Sequence, residues 1–198
     1  MIRGIALALV LSVQPLAADD LPALYSVTGV AANDVLNIRA APDPTSEIIG
    51  TLAPNATGVE VTAESDGWAS VNAGERAGYV AARFLQPVGH APWYRLEHPI
   101  TCAGTEPFWT LQIDPQAQTA TFLSAESENQ LFMPFQQSWR GEAWSTSAAI
   151  SFGEGMVVLR REECSDHMSE RSYGIQVDFF LNTGSGHRIS GCCVLSAD

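Results

Sequence analysis

Beyond an N-terminal apolar run, apolar residues recur at every second position, in short stretches broken by Gly, Asn, Asp and Pro. In "FWTLQID", Trp109, Leu111 and Ile113 share one face. In "GIQVDFFL", Ile175, Val177, Phe179 and Leu181 share one face, opposite Gln176, Asp178 and Phe180. A period of two is the signature of half-buried strands, and helical spacing is almost absent. The pattern predicts an all-β protein.

The strands fall into two blocks. Residues 25–87 contain "YSVTGV", "DVLNIRAAP", "EIIGTLAPN", "GVEVTAES", "DGWASVNAG" and "RAGYVAARFL", short and closely spaced, as in a small barrel. Val35, Leu36 and Ile38 are expected to feed its core. Ala40 to Ser46 carries two prolines and reads as an exposed loop. Asp66-Gly67 before Trp68 is a strong hairpin signal. Residues 88–93, within "QPVGHAPW", lack periodicity and read as a linker. Residues 94–198 form the second block, with runs such as "TATFLSA", "MVVLRREE" and "HRISGCCVL". One polar and one apolar face per strand predicts an antiparallel sheet or small barrel.

The N-terminus, "MIRGIALALVLSVQPLAADD", has Arg3, an apolar run from Ile5 to Val13, and small residues at Ala17 and Ala18. This is a signal-peptide pattern over residues 1–18. The run is shorter than the about 20 residues that span a bilayer. A periplasmic or secreted protein with no membrane span after cleavage is expected. The net charge is -12, and every basic residue is Arg. A basic stripe for nucleic acid is absent, and anionic lipid is disfavoured.

The four cysteines are Cys102, Cys164, Cys192 and Cys193. In an exported chain they read as two disulfides, with three connectivities open. No C-x-x-C pair or zinc-ligand spacing occurs, so neither a metal nor a cofactor is expected.

"ECSDHMSERSYG", Glu163 to Gly174, concentrates nucleophiles, acids and a histidine. A Cys–His nucleophile requires a reduced Cys164. Ser165, Asp166 and His167 are consecutive and cannot form a triad by themselves, and no G-x-S-x-G elbow is present. No catalytic residue is assigned, and a hydrolase using His167 is the alternative. The plainer reading is a polar turn. Asp166 and Ser165 cap backbone N–H groups, and Arg171 pairs with Glu106 or Glu170.

Two resemblances add to this. "LNIRAAPDPTSEIIGTL", "GVEVTAESDGWASV" and "AGYVAARFL" resemble a bacterial SH3 domain, placed at residues 25–87. The resemblance implies binding of a cell-wall peptide or another extended peptide. Trp68 and Tyr79 are the candidate groove aromatics, Trp68 being equally readable as barrel core. Asn37 and Arg39 read as braces of their strand. "CAGTEPFWTLQI", "ECSDHMSERSYGIQV" and "SGCC" resemble a group of bacterial envelope proteins found beside small β domains of the META and lysozyme-inhibitor kinds. That group carries no established activity. Its pattern implies Cys164–Cys192, which leaves Cys102–Cys193, and places Glu106, Asp166, Ser169 and Arg171 in one corner. It usually has Gly where this chain has His167, which points to a backbone conformation that favours Gly. The whole reads as a non-enzymatic envelope protein. Its rival is an inhibitor or partner-binding protein acting through Glu106 and Asp166 on another envelope protein.

Overall fold

The computed structural model describes residues 20–89, 91–125, 129–182 and 186–196. The signal peptide expected over residues 1–18 lies outside the described residues, as does His90. The architecture is all-β, an SH3-like domain followed by a disulfide-bonded β domain. Among the described residues no helix is long and apolar enough to cross a membrane.

The N-terminal half holds β1 (Ala23–Val27), β2 (Leu36–Arg39), β3 (Ile48–Leu52), β4 (Val59–Val61), β5 (Ala63–Ser65), β6 (Trp68–Ala73), β7 (Arg76–Ala81) and β8 (Leu85–Pro87). They form a three-stranded sheet, β4-β1-β8, over a five-stranded sheet, β3-β2-β7-β6-β5. The chain passes between the sheets at Thr62, whose N–H still bonds Ser70 O at 3.0 Å. Asp66 and Gly67 both have positive φ, 51° and 78°, as a two-residue hairpin of this hand requires. Leu36, Ile38, Val61, Ala69, Val71 and Val80 close the core. Val35, expected with them, is 43% exposed. It precedes β2 and has the opposite parity from Leu36 and Ile38.

The C-terminal half holds β9 (Ile100–Thr105), β10 (Phe108–Asp114), β11 (Thr119–Ser124), β12 (Leu131–Pro134), β13 (Gln137–Trp139), β14 (Ser147–Phe152), β15 (Gly155–Cys164), β16 (Tyr173–Leu181) and β17 (His187–Leu195). They make one nine-stranded antiparallel sheet, β12-β11-β10-β9-β17-β16-β15-β14-β13. Its edge strands β12 and β13 are neighbours in sequence. Phe135 N–H bonds Gln118 O at 2.9 Å, and Gln136 N–H bonds Ser151 O at 2.8 Å. Three peptide units span at most about 10 Å. The sheet therefore curls until its two edges are joined by Phe135 and Gln136. Trp109, Leu111, Ile113, Ile175, Val177 and Phe179 fill the interior, on the alternation read from sequence.

Cys102–Cys193 and Cys164–Cys192 are the disulfides. Adjacent residues of β17 point to opposite faces, so Cys193 joins the interior and Cys192 the outside. Closing loops of 91 and 28 residues, they stabilise by about 4.6 and 3.5 kcal/mol on the chain-entropy model. The backbone of β17 also approaches β9 closely. A Cβ at Gly191 would collide with Ala103 O and the Trp109 ring, so only Gly fits there.

The two barrels share a strand. Ala23, Tyr25 and Val27 of β1 face the first core, whereas Leu24 packs into the second. Glu60 of β4 is the register partner of Leu24 and lies on the same side. Residues 88–93, read as a linker, end on Trp93, which is 2% exposed within the second core. Val88 N–H is bonded to Leu24 O at 2.8 Å.

Candidate functional site

The first candidate is the outer face of the five-stranded sheet. Ala69 and Val71 take the inner face of β6, which turns Trp68 and Ser70 outward. Ser70 is opposite Tyr79, and Tyr79 is opposite Arg39. Trp68 and Tyr79 therefore stand diagonally on one face, both half-buried. Trp68 lies outside the buried core and forms a wall between two open clefts. The larger, of about 850 Å³, is bounded by Val35, Arg39, Asp66, Trp68, Arg83 and Phe84. The smaller, of about 400 Å³, is lined by Pro42, Trp68 and Tyr79.

The loop beside these clefts is pinned by its own side chains. Arg39 Nη1 donates to Ser46 O at 2.7 Å, so Arg39, expected to brace its own strand, braces the loop. Asp43 accepts from the Thr45 hydroxyl at 2.7 Å and from Thr45 N–H at 2.6 Å. These bonds hold the Asp43 carboxyl below its ordinary range. Arg83 lies over the Phe84 ring at 4.5 Å. A preformed cleft with flat aromatic walls and charges of both signs suits an extended peptide.

The second candidate is the Glu163–Gly174 turn between β15 and β16. Asp166 organises it. Its Oδ1 accepts from Met168 N–H at 3.0 Å and Ser169 N–H at 2.9 Å. Its Oδ2 accepts from the Ser169 hydroxyl at 2.8 Å and the Tyr173 hydroxyl at 2.9 Å. Partial burial pushes this carboxyl up, but the four donors outweigh it and hold it well below the carboxylate range. His167 has φ of 57°, the left-handed conformation expected where the envelope pattern has Gly. It is exposed, and its N–H bonds Ser165 Oγ at 3.2 Å. Cys164 is oxidised, so the sequence of a Cys–His pair holds no free thiol. Among the described residues no group of His, Cys, Asp or Glu is gathered to hold a metal ion.

Glu106 and Arg171 do not meet. Glu106 is exposed at the tip of the β9–β10 hairpin, before a cis Pro107. Glu170 pairs instead with Arg76, at 3.4 Å. Arg171 lies over the Tyr173 ring at 5.3 Å and acts on the Glu60 carboxylate of the first barrel. Spacing alone favoured partners in the same block, whereas the turn is docked on the other one.

That docking is the feature of the turn that sequence reasoning missed. Glu170 N–H bonds Glu75 O at 2.8 Å, and Ala77 N–H bonds Glu170 O at 2.7 Å. The Asn72 side chain pairs with the Ser172 backbone in both directions, at 2.9 Å each. Thr62 and Ser172 hydroxyls are 3.0 Å apart. Leu195 N–H bonds Glu60 Oε1 at 2.8 Å. Burial pushes Glu60 up to about 7, against the Leu195 N–H and Arg171, which pull it down. The exposed Arg76–Glu170 pair adds little to this joint, while the backbone and amide bonds align it.

Asp166→Ala would leave four donors without their acceptor. It is expected to destabilise the fold by about 2–3 kcal/mol, read by urea unfolding, while the Trp68 clefts stay intact.

The first barrel, with its pinned loop and outward aromatics, has the form of a small SH3-like domain. Residues 34–86 match the family model described as bacterial SH3 domain. The match runs from before β2 into β8 and includes Trp68 and Tyr79. No curated protein and no solved structure matches the chain.

Proposed function

We propose that this is an exported, non-enzymatic envelope protein whose bacterial SH3 domain binds a cell-wall peptide or another extended peptide. The carrying observation is the placement of Trp68: outward, half-buried, and shared by two open clefts. Tyr79 supplies the second flat surface. The disulfides fit an oxidising compartment such as the periplasm or the medium. The second barrel acts as a scaffold that fixes the SH3 domain through the Glu163–Gly174 turn.

The test is co-sedimentation of the mature protein with purified peptidoglycan sacculi. Wild type is expected to bind. Trp68→Ala should weaken binding by about thirtyfold, the loss of a central aromatic anchor worth about 2 kcal/mol. Circular dichroism confirms that both fold. Absence of wild-type binding removes the wall as target. Equal binding by both proteins removes Trp68 from the site.

A further inference from the structure

The outer face of the second barrel is not uniformly polar. A register row crosses it from β17 to β11: Cys192 opposite Ala103, Ala103 opposite Thr110, Thr110 opposite Leu123. Strand faces turned to water normally carry polar side chains. Here the floor is small and the walls are apolar. Phe108, 54% exposed, and Leu123, 38% exposed, stand along it. Tyr173 and Asp166 close one end. The resulting trench holds about 340 Å³. This is near the lower end of ligand-site volumes, about 300–1,000 Å³, and suits one or two side chains.

Its described lining carries negative charge alone. Among the described residues, Asp166 is the only charged one in the wall. Glu106 is exposed on the adjoining hairpin tip, two residues before Phe108. Among the described residues no Arg lines the trench, and the chain carries a net charge of -12. Arg171 lies over the Tyr173 ring at 5.3 Å, behind the wall rather than in it, and acts on both Tyr173 and Glu60. The Cys164–Cys192 disulfide adjoins the Cys192 end and the β9–β10 hairpin holds Phe108 along one side, so little ordering of these walls is needed on binding.

We infer that this trench is a second interaction site, taking one bulky apolar side chain from an extended, cation-bearing segment of a partner protein. Phe108 and Leu123 enclose the side chain. The carboxylates of Asp166 and Glu106 attract flanking Lys or Arg. A second copy of this acidic chain has the wrong charge for the position.

Fluorescence polarisation with three labelled synthetic peptides tests this on the mature protein. One has a central Phe flanked by Lys, one a central Phe flanked by Glu, and one a central Ala flanked by Lys. The Lys–Phe peptide is expected to bind about tenfold or more tightly than either control, and to weaken as salt is raised. Leu123→Arg, at an exposed position, should reduce that binding about tenfold or more without moving the unfolding midpoint. Trp68→Ala should leave it unchanged, which separates this site from the SH3 clefts. Three results would overturn the inference: the Lys–Phe peptide failing to exceed the controls up to millimolar concentration, Leu123→Arg binding it as wild type does, or the free protein sedimenting as a dimer that Leu123→Arg dissociates.

Discussion

Truncating Leu24 to alanine is expected to destabilise both barrels at once, by about 2–5 kcal/mol. Leu24 is 4% exposed and sits on β1, whose neighbouring residues Ala23 and Tyr25 serve the first core. The side chain itself fills the second core beside Trp93, Tyr94 and Leu96. Its removal leaves a cavity where the barrels share a wall, and the polar joint around Ser172 and Asn72 has no apolar material to refill it. For a chain of this size, 3 kcal/mol corresponds to a fall in melting temperature of roughly 6–12 °C. Calorimetry should show one transition, shifted as a whole. Two transitions, only one of them moved, would mean that the barrels unfold as independent units and that β1 does not couple them.

The second large effect is a dependence of stability on pH that runs opposite to ordinary acid denaturation. Glu60 has an ordinary value of 4.5 and is pushed up to about 7 in the fold. A raised carboxyl holds its proton better in the folded state. Its contribution is therefore fully present below about 4.5 and is lost as pH rises to about 7. The size is of the order of 3 kcal/mol, at 1.36 kcal/mol per unit. Asp166 and Asp178 have the reverse sign, both held low in the fold. For Asp178, burial pushes up, but the Ser190 hydroxyl and Arg160 prevail. Their contribution is present above about 4 and is lost below it. Stability should thus peak between about pH 4 and 5 and decline toward neutrality. Glu60→Gln keeps an acceptor for Leu195 N–H and removes the charge. Urea unfolding across pH should show the neutral-side decline in wild type and its absence in Glu60→Gln. An identical decline in both would assign the effect elsewhere.

Much of each barrel was legible in the sequence, because its information is local. The period of two placed Trp109, Leu111 and Ile113 inside, and Asp66-Gly67 marked a hairpin. The SH3 motifs selected the block that contains Trp68. Placing Trp68 itself needed the parity of β6, which only the strand boundary fixes. Had the strand carried Trp68 inward, Ala69 and Val71 would have been outside. The joint was illegible for a different reason. Asn72 and Ser172 are separated by 100 residues, and Glu60 and Leu195 by 135. No periodicity encodes such partners, and a single Asn in a hairpin looks solvated. At residues 88–93 Pro and Gly signalled a tether, and no periodicity announced that Trp93 at its end is anchored in the second core. The "CSDHMSER" turn looked chemical because backbone capping and catalysis draw on the same side chains. Only the four hydrogen bonds to Asp166 show where that chemistry is spent.

The most direct test of the recognition site is a residue-resolved one. The isotopically labelled mature protein is titrated with soluble peptide-bearing fragments of the cell wall and followed by amide and indole chemical shifts. Shifts concentrated on the Trp68 indole, Tyr79 and the Ala40–Ser46 loop, with the second barrel unmoved, are the predicted result. Shifts confined to the second barrel, or none at millimolar fragment, would contradict the account.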